Sequence, residues 1–197
     1  INNINRLLQA ANPNQSIKWN SKFYKINDPI VFSDSSRFKG ILYNNLKGII
    51  RDIQVIDNDK IIFTIELLGV VLNGLDISDS DLELLENNIN NNSVIRFNVN
   101  RYISTDEDIE DDSATVPFQV SYAISIHKAQ GLEYESVKIV ITNEVGEQIN
   151  HNILYTAMTR TKKYLKLYWS PETENFVISN LKRKDINKDF NLLKMKL

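Results

Sequence analysis

One stretch of the sequence places polar side chains directly after a predicted buried strand. We predict that strand over residues 123–126, and Gly131 a few residues later permits a tight turn or a close approach of the backbone. In open α/β sheets, ligands bind beyond the carboxyl ends of the strands. This is therefore the expected position for a site, and the stretch carries these polar candidates: Ser125, His127, Lys128, Gln130 and Glu133.

A second candidate segment is the helix that we predict over residues 149–162. At 100° per residue, its apolar residues form one arc, and Arg160 falls at the edge of that arc, one turn beyond Thr156. An arginine in this position can point into a cleft between domains. It can equally be an arginine near a helix C-terminus that the helix dipole favours, with no further role. Spacing alone leaves both interpretations open.

Together the two segments resemble motifs V and VI of superfamily 1 helicases of the RecD-like type. Residues 125–133 read Ser-Ile-His-Lys-Ala-Gln-Gly-Leu-Glu, similar to the family's Thr-x-His-Lys-x-Gln-Gly-x-Glu. Residues 154–162 read Leu-Tyr-Thr-Ala-Met-Thr-Arg-Thr-Lys, similar to Leu-Tyr-Thr-Ala-x-Thr-Arg-x-Lys. Two shorter stretches add to the resemblance. Residues 5–13 resemble the family's segment before an inserted barrel, and residues 43–50 resemble Asn-Gly-Asp-x-Gly-x-Ile, with Asn45 in place of the first glycine.

The resemblance implies a role for each matching residue. Arg160 would be the arginine finger that reaches the γ-phosphate, where a lysine would lack the planar fork of donors. Ser125, His127 and Lys128 would lie along single-stranded DNA, although a lone histidine is more often structural. The residues on the nucleotide side would be Gln130, Gly131, Glu133, Tyr155 and Thr156.

The resemblance also implies ATP and Mg²⁺ as cofactors, bound mainly by a first RecA-like domain. None of the six glycines begins Gly-Lys-Ser/Thr, and no apolar strand ends in Asp-Glu. We therefore expect this chain to be inactive alone, as a piece of a longer protein whose N-terminal half is its partner. The other expected partner is single-stranded DNA, with RNA left open because backbone contacts do not identify the sugar.

The fold that the resemblance implies is α/β, with a RecA-like parallel sheet of the P-loop NTPase type and helices on both faces. Residues 1–19 and 114–175 would form this domain, and a small antiparallel β-barrel would be inserted at 20–103. The pattern of residues agrees, because short β-rich runs occupy 29–32, 48–56, 60–68 and 94–99. We also predict helices over 1–11, 80–89 and 149–162 and strands over 137–142 and 164–169. The succession of a strand, a helix and a strand over 137–169 favours a parallel sheet. An exposed acidic loop at 104–113 and a basic helical tail at 176–197 complete the prediction.

Composition narrows the class of protein. A chain with 42% hydrophobic and 24% charged residues is typical of a globular domain. With no cysteine and only two histidines, we predict neither disulfides nor a protein-bound metal. No apolar run is long enough for a membrane span, so we expect no membrane partner and a cytoplasmic location.

Two other functions remain open at this point. The same motifs would occur in a RecA-like ATPase half of a nucleic-acid-processing or phage-defence protein that does not unwind DNA. The chain could also be a nucleic-acid-binding module, but a net charge of −2 argues against tight binding by the whole surface.

Overall fold

The computed structural model describes residues 1–34, 36–38, 40–77, 81–87, 92–101, 114–146 and 149–180. The fold is α/β, with few helices and a mainly antiparallel central sheet. Contacts divide it into two compact units, Ile1–Ile124 and Ser125–Leu197. The described helices are α1 (Asn2–Ala10), α2 (Asn143–Gly146), α3 (His151–Met158) and α4 (Pro171–Asn180). The strands are β1 (Ile17–Trp19), β2 (Lys22–Tyr24), β3 (Pro29–Phe32), β4 (Lys47–Val55), β5 (Lys60–Leu67), β6 (Glu83–Asn87), β7 (Ser93–Asn100), β8 (Phe118–Val120), β9 (Tyr134–Val140) and β10 (Thr161–Tyr168).

The first unit is built on a six-stranded antiparallel sheet with the order β6-β7-β5-β4-β3-β8. Its central strands carry β-branched and aromatic residues, which pack well on a pleated surface. The strands β4 and β5 form a hairpin, and Asp57 accepts a hydrogen bond from the backbone N–H of Asp59 (2.8 Å) in the turn. Aromatic rings centred on Phe63 and Phe118 (5.0 Å between centroids) fill the core beneath this sheet.

Two positions, one in a turn and one in β4, account for residues 43–50, the stretch that resembles Asn-Gly-Asp-x-Gly-x-Ile. Asn45 stands where the resembling family has its first glycine, and its φ of 70° is left-handed, a conformation that asparagine tolerates better than most residues. Gly48 lies in β4, where an added Cβ would come within 2.8 Å of the Ile65 side chain and 2.9 Å of the Glu66 carbonyl oxygen. The signature therefore reflects one left-handed turn and one close approach of strands.

A buried carboxylate joins α1 to the sheet. Asp28 is 0% exposed, and its Oδ1 accepts from Asn12 Nδ2 and Tyr122 Oη, both at 2.9 Å. Its Oδ2 accepts from the Lys25 backbone N–H (2.8 Å) and from Gln9 Nε2. The Lys25 ammonium in turn donates to two backbone carbonyls at the end of α1. Every lone pair that the carboxylate offers in the plane is thus occupied, as burial of a charge requires.

The second unit contains the parallel pair β9-β10 and a small core of Ile139, Ile141, Leu154, Ala157 and Val177. Asn150 caps α3 by accepting from the Ile153 N–H (3.0 Å), and Ser170 caps α4 in the same way through Thr173 (3.2 Å). Pro171 occupies the first turn of α4, where its missing N–H costs nothing.

Three predicted elements differ from the observed ones. Residues 123–126 are not a strand, because Asn5 satisfies both backbone groups of Ala123 and Ser125 begins a turn. Residues 83–87 form β6 instead of part of a helix, because Leu84 pairs with the buried Ile95 of β7. The helix predicted over 149–162 ends at Met158, since β10 begins at Thr161.

Other predictions about the architecture stay predictions. The parallel pair agrees with the strand-helix-strand pattern, but a full RecA-like parallel sheet and closure of the antiparallel strands into a barrel go beyond it. The grouping of residues 1–19 with 114–175 in one domain also stays a prediction. The acidic loop lies in residues 102–113 and most of the basic tail in 181–197, both outside the described residues. In the described part of the chain, no helix is long and apolar enough to cross a membrane.

Candidate functional site

The segment over residues 125–131 is a run of hydrogen-bonded turns. The hydroxyl of Ser125 accepts from the Lys128 backbone N–H (3.3 Å), and its carbonyl accepts from the Ala129 N–H (3.0 Å). The next turn is closed by Gln130 N–H donating to the His127 carbonyl (3.2 Å). Serine favours such positions because its short side chain bonds to nearby backbone. Residues 125–131 therefore satisfy part of their backbone hydrogen bonding within the segment itself.

Gly131 ends this run in the left-handed region, with φ of 82°. No atom lies within 4 Å of the position that a Cβ would occupy, so the glycine is required by its backbone conformation and not by crowding. The exposed backbone here leaves room for a ligand to approach closely. His127, Gln130 and Glu133 are exposed around it, whereas Ser125 and Lys128 are partly buried.

Arg160 follows α3 and folds back over its C-terminus. Its Nε donates to the Thr156 carbonyl (3.1 Å), and its two terminal nitrogens donate to the Leu132 carbonyl (3.3 Å) and the Thr159 hydroxyl (3.3 Å). All three acceptors are neutral oxygens, so these bonds set dipoles against the guanidinium charge. A cation at this end of a helix is favoured by the helix dipole.

The two candidate segments meet in this structure. Besides the bond from Arg160 to Leu132, the Tyr134 backbone N–H donates to the Arg160 carbonyl (2.9 Å). An ion pair joins Lys162 to Glu133 (3.2 Å), with both side chains at least half exposed. Such exposed pairs contribute little stability, so the backbone contacts of Arg160 are the stronger connection.

The remaining predicted residues lie on α3. Tyr155 is 62% exposed, and Thr156 is partly buried with its carbonyl accepting from both Thr159 and Arg160. Burial raises the pKa of Tyr134, which begins β9 next to this site. Burial thus favours the protonated form of the Tyr134 hydroxyl further than in a free tyrosine.

The chemistry of these groups fits a phosphate better than a metal ion. Arg160 offers a planar set of donors that can exchange neutral oxygens for phosphate oxygens, and Gly131 offers open backbone. Within the described ranges, no group of three or more His, Asp or Glu residues could hold a metal ion. The donors at this site therefore suit a phosphate group.

Sequence reasoning missed two participants in this site. The Leu132 carbonyl and the Thr159 hydroxyl both hold the Arg160 guanidinium, although each lies inside a motif-like segment. The role of Thr159 could have been predicted from the sequence, because a hydroxyl one residue before an arginine can reach the same helix end. The role of the Leu132 carbonyl could not, since every residue type has that oxygen.

Comparison with known proteins points to one protein family. Residues 120–168 match the family model of the UvrD-like helicase C-terminal domain. The chain is 39% identical over 77 residues to an uncharacterized protein of Methanocaldococcus jannaschii. This match covers 36% of this chain and 7% of that protein. It is 34% identical over 55 residues to the RecBCD enzyme subunit RecD of Buchnera aphidicola subsp. Schizaphis graminum, covering 28% of this chain and 9% of that subunit.

Among solved structures, the chain is similar to the Pif1 helicase from Bacteroides in complex with ADP-AlF3 and ssDNA. The similarity covers 99% of this chain and 43% of that chain, with a TM-score of 0.50 and 13% identity. At this identity the likeness concerns the fold, and it implies a RecA-like fold. The chain spans only a small part of the length of the curated relatives that it matches.

Proposed function

We propose, from the superfamily 1 helicase C-terminal domain that this chain carries, that it is the C-terminal half of an ATP-dependent DNA helicase or translocase. The observation that carries the proposal is Arg160, a guanidinium held by three neutral oxygens where the two motif-like segments meet. In this role the chain supplies the arginine finger and part of the track for single-stranded DNA.

The contacts of Arg160 explain how it would act. Its three bonds go to neutral acceptors at 3.1–3.3 Å, whereas a phosphate would add the attraction of opposite charges and could accept two parallel bonds from the guanidinium. The side chain can therefore leave its capping position when a γ-phosphate approaches, and it then balances charge that develops on the phosphoryl group. ATP supplies the phosphoanhydride bond whose hydrolysis drives the cycle. Release of the Leu132 carbonyl by Arg160 would report the nucleotide state to the segment over residues 125–131.

The same segment would contact DNA. Ser125, His127 and Lys128 are the residues that we assign to the phosphate backbone of a single strand, while Gln130, Gly131 and Glu133 face the nucleotide with Tyr155 and Thr156. The partial burial of Ser125 and Lys128 supports the assignment, because partly ordered donors lose less entropy on binding.

The proposal needs a second domain with a phosphate-binding loop and the Mg²⁺ ligands. We propose that a longer polypeptide provides it, with residues 1–19 and 114–175 forming the second RecA-like domain and 20–103 an inserted barrel. The chain covers only 43% of the Pif1 helicase chain, which supports this arrangement. A cytoplasmic location is proposed by analogy with the helicase family.

The experiment is the ATPase rate of the full-length protein with increasing single-stranded DNA. We expect stimulation, and we expect Ser125→Ala and Lys128→Gln to raise the DNA concentration needed for half-maximal stimulation. Lys138→Gln, an exposed lysine on β9, is the matched control and should leave that concentration unchanged. ATP hydrolysis that no nucleic acid stimulates would contradict the proposal. Stimulation without strand separation on any duplex would instead favour an ATPase that does not unwind DNA.

A further inference from the structure

The hairpin of β1 and β2 presents an exposed aromatic ring beside a cation. Lys18 pairs with Phe23 across the hairpin, so their side chains lie on the same face. Phe23 is 51% exposed, and the Lys18 ammonium lies 6.0 Å from the centre of its ring. Lys22 is also exposed, but it pairs with Trp19 and so lies on the other face of the hairpin. A large apolar ring in this position has no core to fill.

The hairpin itself is firmly held, so the ring is presented on a rigid element. Trp19 and Tyr24, on the opposite face, are buried in the core of the first unit. The Gln9 side chain of α1 donates to the Phe23 carbonyl (3.1 Å), which ties the backbone of β2 to the helix. The Arg101 guanidinium lies 5.2 Å from the Trp19 ring and adds a cation beside the hairpin.

The local charge is opposite to that of the whole protein. Residues 1–27 contain four basic residues and no acidic one, in a chain with a net charge of −2. The first acidic residue, Asp28, is buried and bonded on both oxygens. The basic side chains of this stretch favour a polyanion, and the exposed Phe23 ring favours a polyanion that carries flat groups, such as bases.

We propose that the outer face of this hairpin, formed by Lys18 and Phe23, is a binding site for single-stranded nucleic acid outside the helicase motifs. A base stacks on Phe23, and Lys18 contacts an adjacent phosphate. Stacking on an aromatic residue needs no particular base, so the site binds without sequence preference. The choice of single-stranded nucleic acid as the ligand rests on the proposed function, because a helicase holds a nucleic-acid strand while it moves.

The test measures binding of this chain to a fluorescein-labelled thymidine oligonucleotide by anisotropy, at low salt and over a series of salt concentrations. An abasic oligonucleotide of the same length carries the same phosphates without bases. We expect it to bind about tenfold more weakly, because stacking is lost. Phe23→Leu should weaken thymidine binding by about the same factor and leave abasic binding unchanged. Lys18→Gln should reduce the slope of log affinity against log salt by about 0.7, whereas Lys22→Gln, on the other face of the hairpin, should leave that slope nearly unchanged.

Tyr43→Leu is the matched control, since Tyr43 is an exposed aromatic residue elsewhere in the first unit. Loss of affinity in Tyr43→Leu equal to that in Phe23→Leu would overturn the proposal, and so would absence of binding at low salt. Binding that depends on Lys128 but not on Phe23 would refute the hairpin site and leave the proposed function intact. Binding that depends on Phe23 in a protein whose ATPase ignores DNA would refute the proposed function and leave the hairpin site.

Discussion

Replacement of Asp28 by asparagine tests the buried network that holds α1 to the sheet. The carboxylate accepts four hydrogen bonds, two on each oxygen, and an amide can accept on one oxygen only. If the amide nitrogen takes the place of Oδ2, Gln9 can turn its own oxygen toward it. The backbone N–H of Lys25 cannot turn, so one buried donor loses its acceptor.

The cost follows from these contacts. An unsatisfied buried donor costs about 1–3 kcal/mol, and the remaining bonds lose the strength that the negative charge gave them. We therefore expect Asp28→Asn to lower the free energy of unfolding of the first unit by about 3 kcal/mol. That is a large part of the 5–15 kcal/mol typical of a whole domain.

The two tryptophans make the assay specific, because Trp19 lies in the first unit and Trp169 in the second. In a Trp169→Phe background, urea unfolding followed by fluorescence reports the surroundings of Trp19. Asp57→Asn is the control, since exposed Asp57 bonds only within its own turn, and asparagine can make the same bond. A loss for Asp28→Asn within about 0.5 kcal/mol of the control, the usual range for surface changes, would refute the reasoning.

Further predictions concern three residues of the first unit. The Tyr24 hydroxyl is buried and has no hydrogen-bond partner among the described residues, so Tyr24→Phe should leave urea stability unchanged or raise it by about 1 kcal/mol; a loss above that would contradict the geometry. Burial also raises the pKa of Tyr24 above its ordinary value of 10.0, so the folded state keeps a proton that the unfolded state loses. The wild-type protein should therefore lose stability above pH 10.0 by up to about 1.4 kcal/mol per pH unit for this group, and Tyr24→Phe should fall less steeply in the same titration. Gly48→Ala should cost at least about 2 kcal/mol in urea unfolding, because the new methyl group meets the Glu66 carbonyl, and a neutral result would show that the strands can move apart. Asn45→Gly should be neutral or stabilising and Asn45→Ala destabilising by about 1 kcal/mol, and equal stability of the two would argue against a left-handed residue.

Patterns with a local cause were predictable from the sequence. The hairpin of β4 and β5 and the strand β7 follow from alternating β-branched residues and a polar turn, and they occur within a residue or two of the predicted bounds. The helix α1 follows from its apolar face and from Pro13. The resemblance to motifs V and VI is confirmed by the match of residues 120–168 to the UvrD-like helicase C-terminal domain.

Features with a distant cause were not predictable. The sequence around Ala123 reads as a strand, but Asn5, far away along the chain, takes up its backbone hydrogen bonds. The segment around Leu84 has a helical pattern, yet pairing with β7 determines its structure. Burial of Asp28 depends on donors from α1, β2 and Tyr122, and no local pattern distinguishes it from an exposed aspartate.

The candidate site shows the same limit. The residue types of the two segments identified Arg160, and its position after α3 agrees with both interpretations of its spacing. A helix-capping arginine and an arginine finger differ in what happens when nucleotide binds, which depends on atoms from another domain.

The central claim is tested most directly by the maximal rate of DNA-stimulated ATP hydrolysis in the full-length protein with Arg160→Ala and Arg160→Lys. Lysine keeps a cation at the end of α3 but lacks the fork of donors, and fluorescence of Trp169 checks that the second unit stays folded. We expect both variants to lose at least about a hundredfold in rate, with a smaller change in nucleotide affinity. A rate within a few fold of wild type in a folded Arg160→Ala protein would show that Arg160 is only a helix cap.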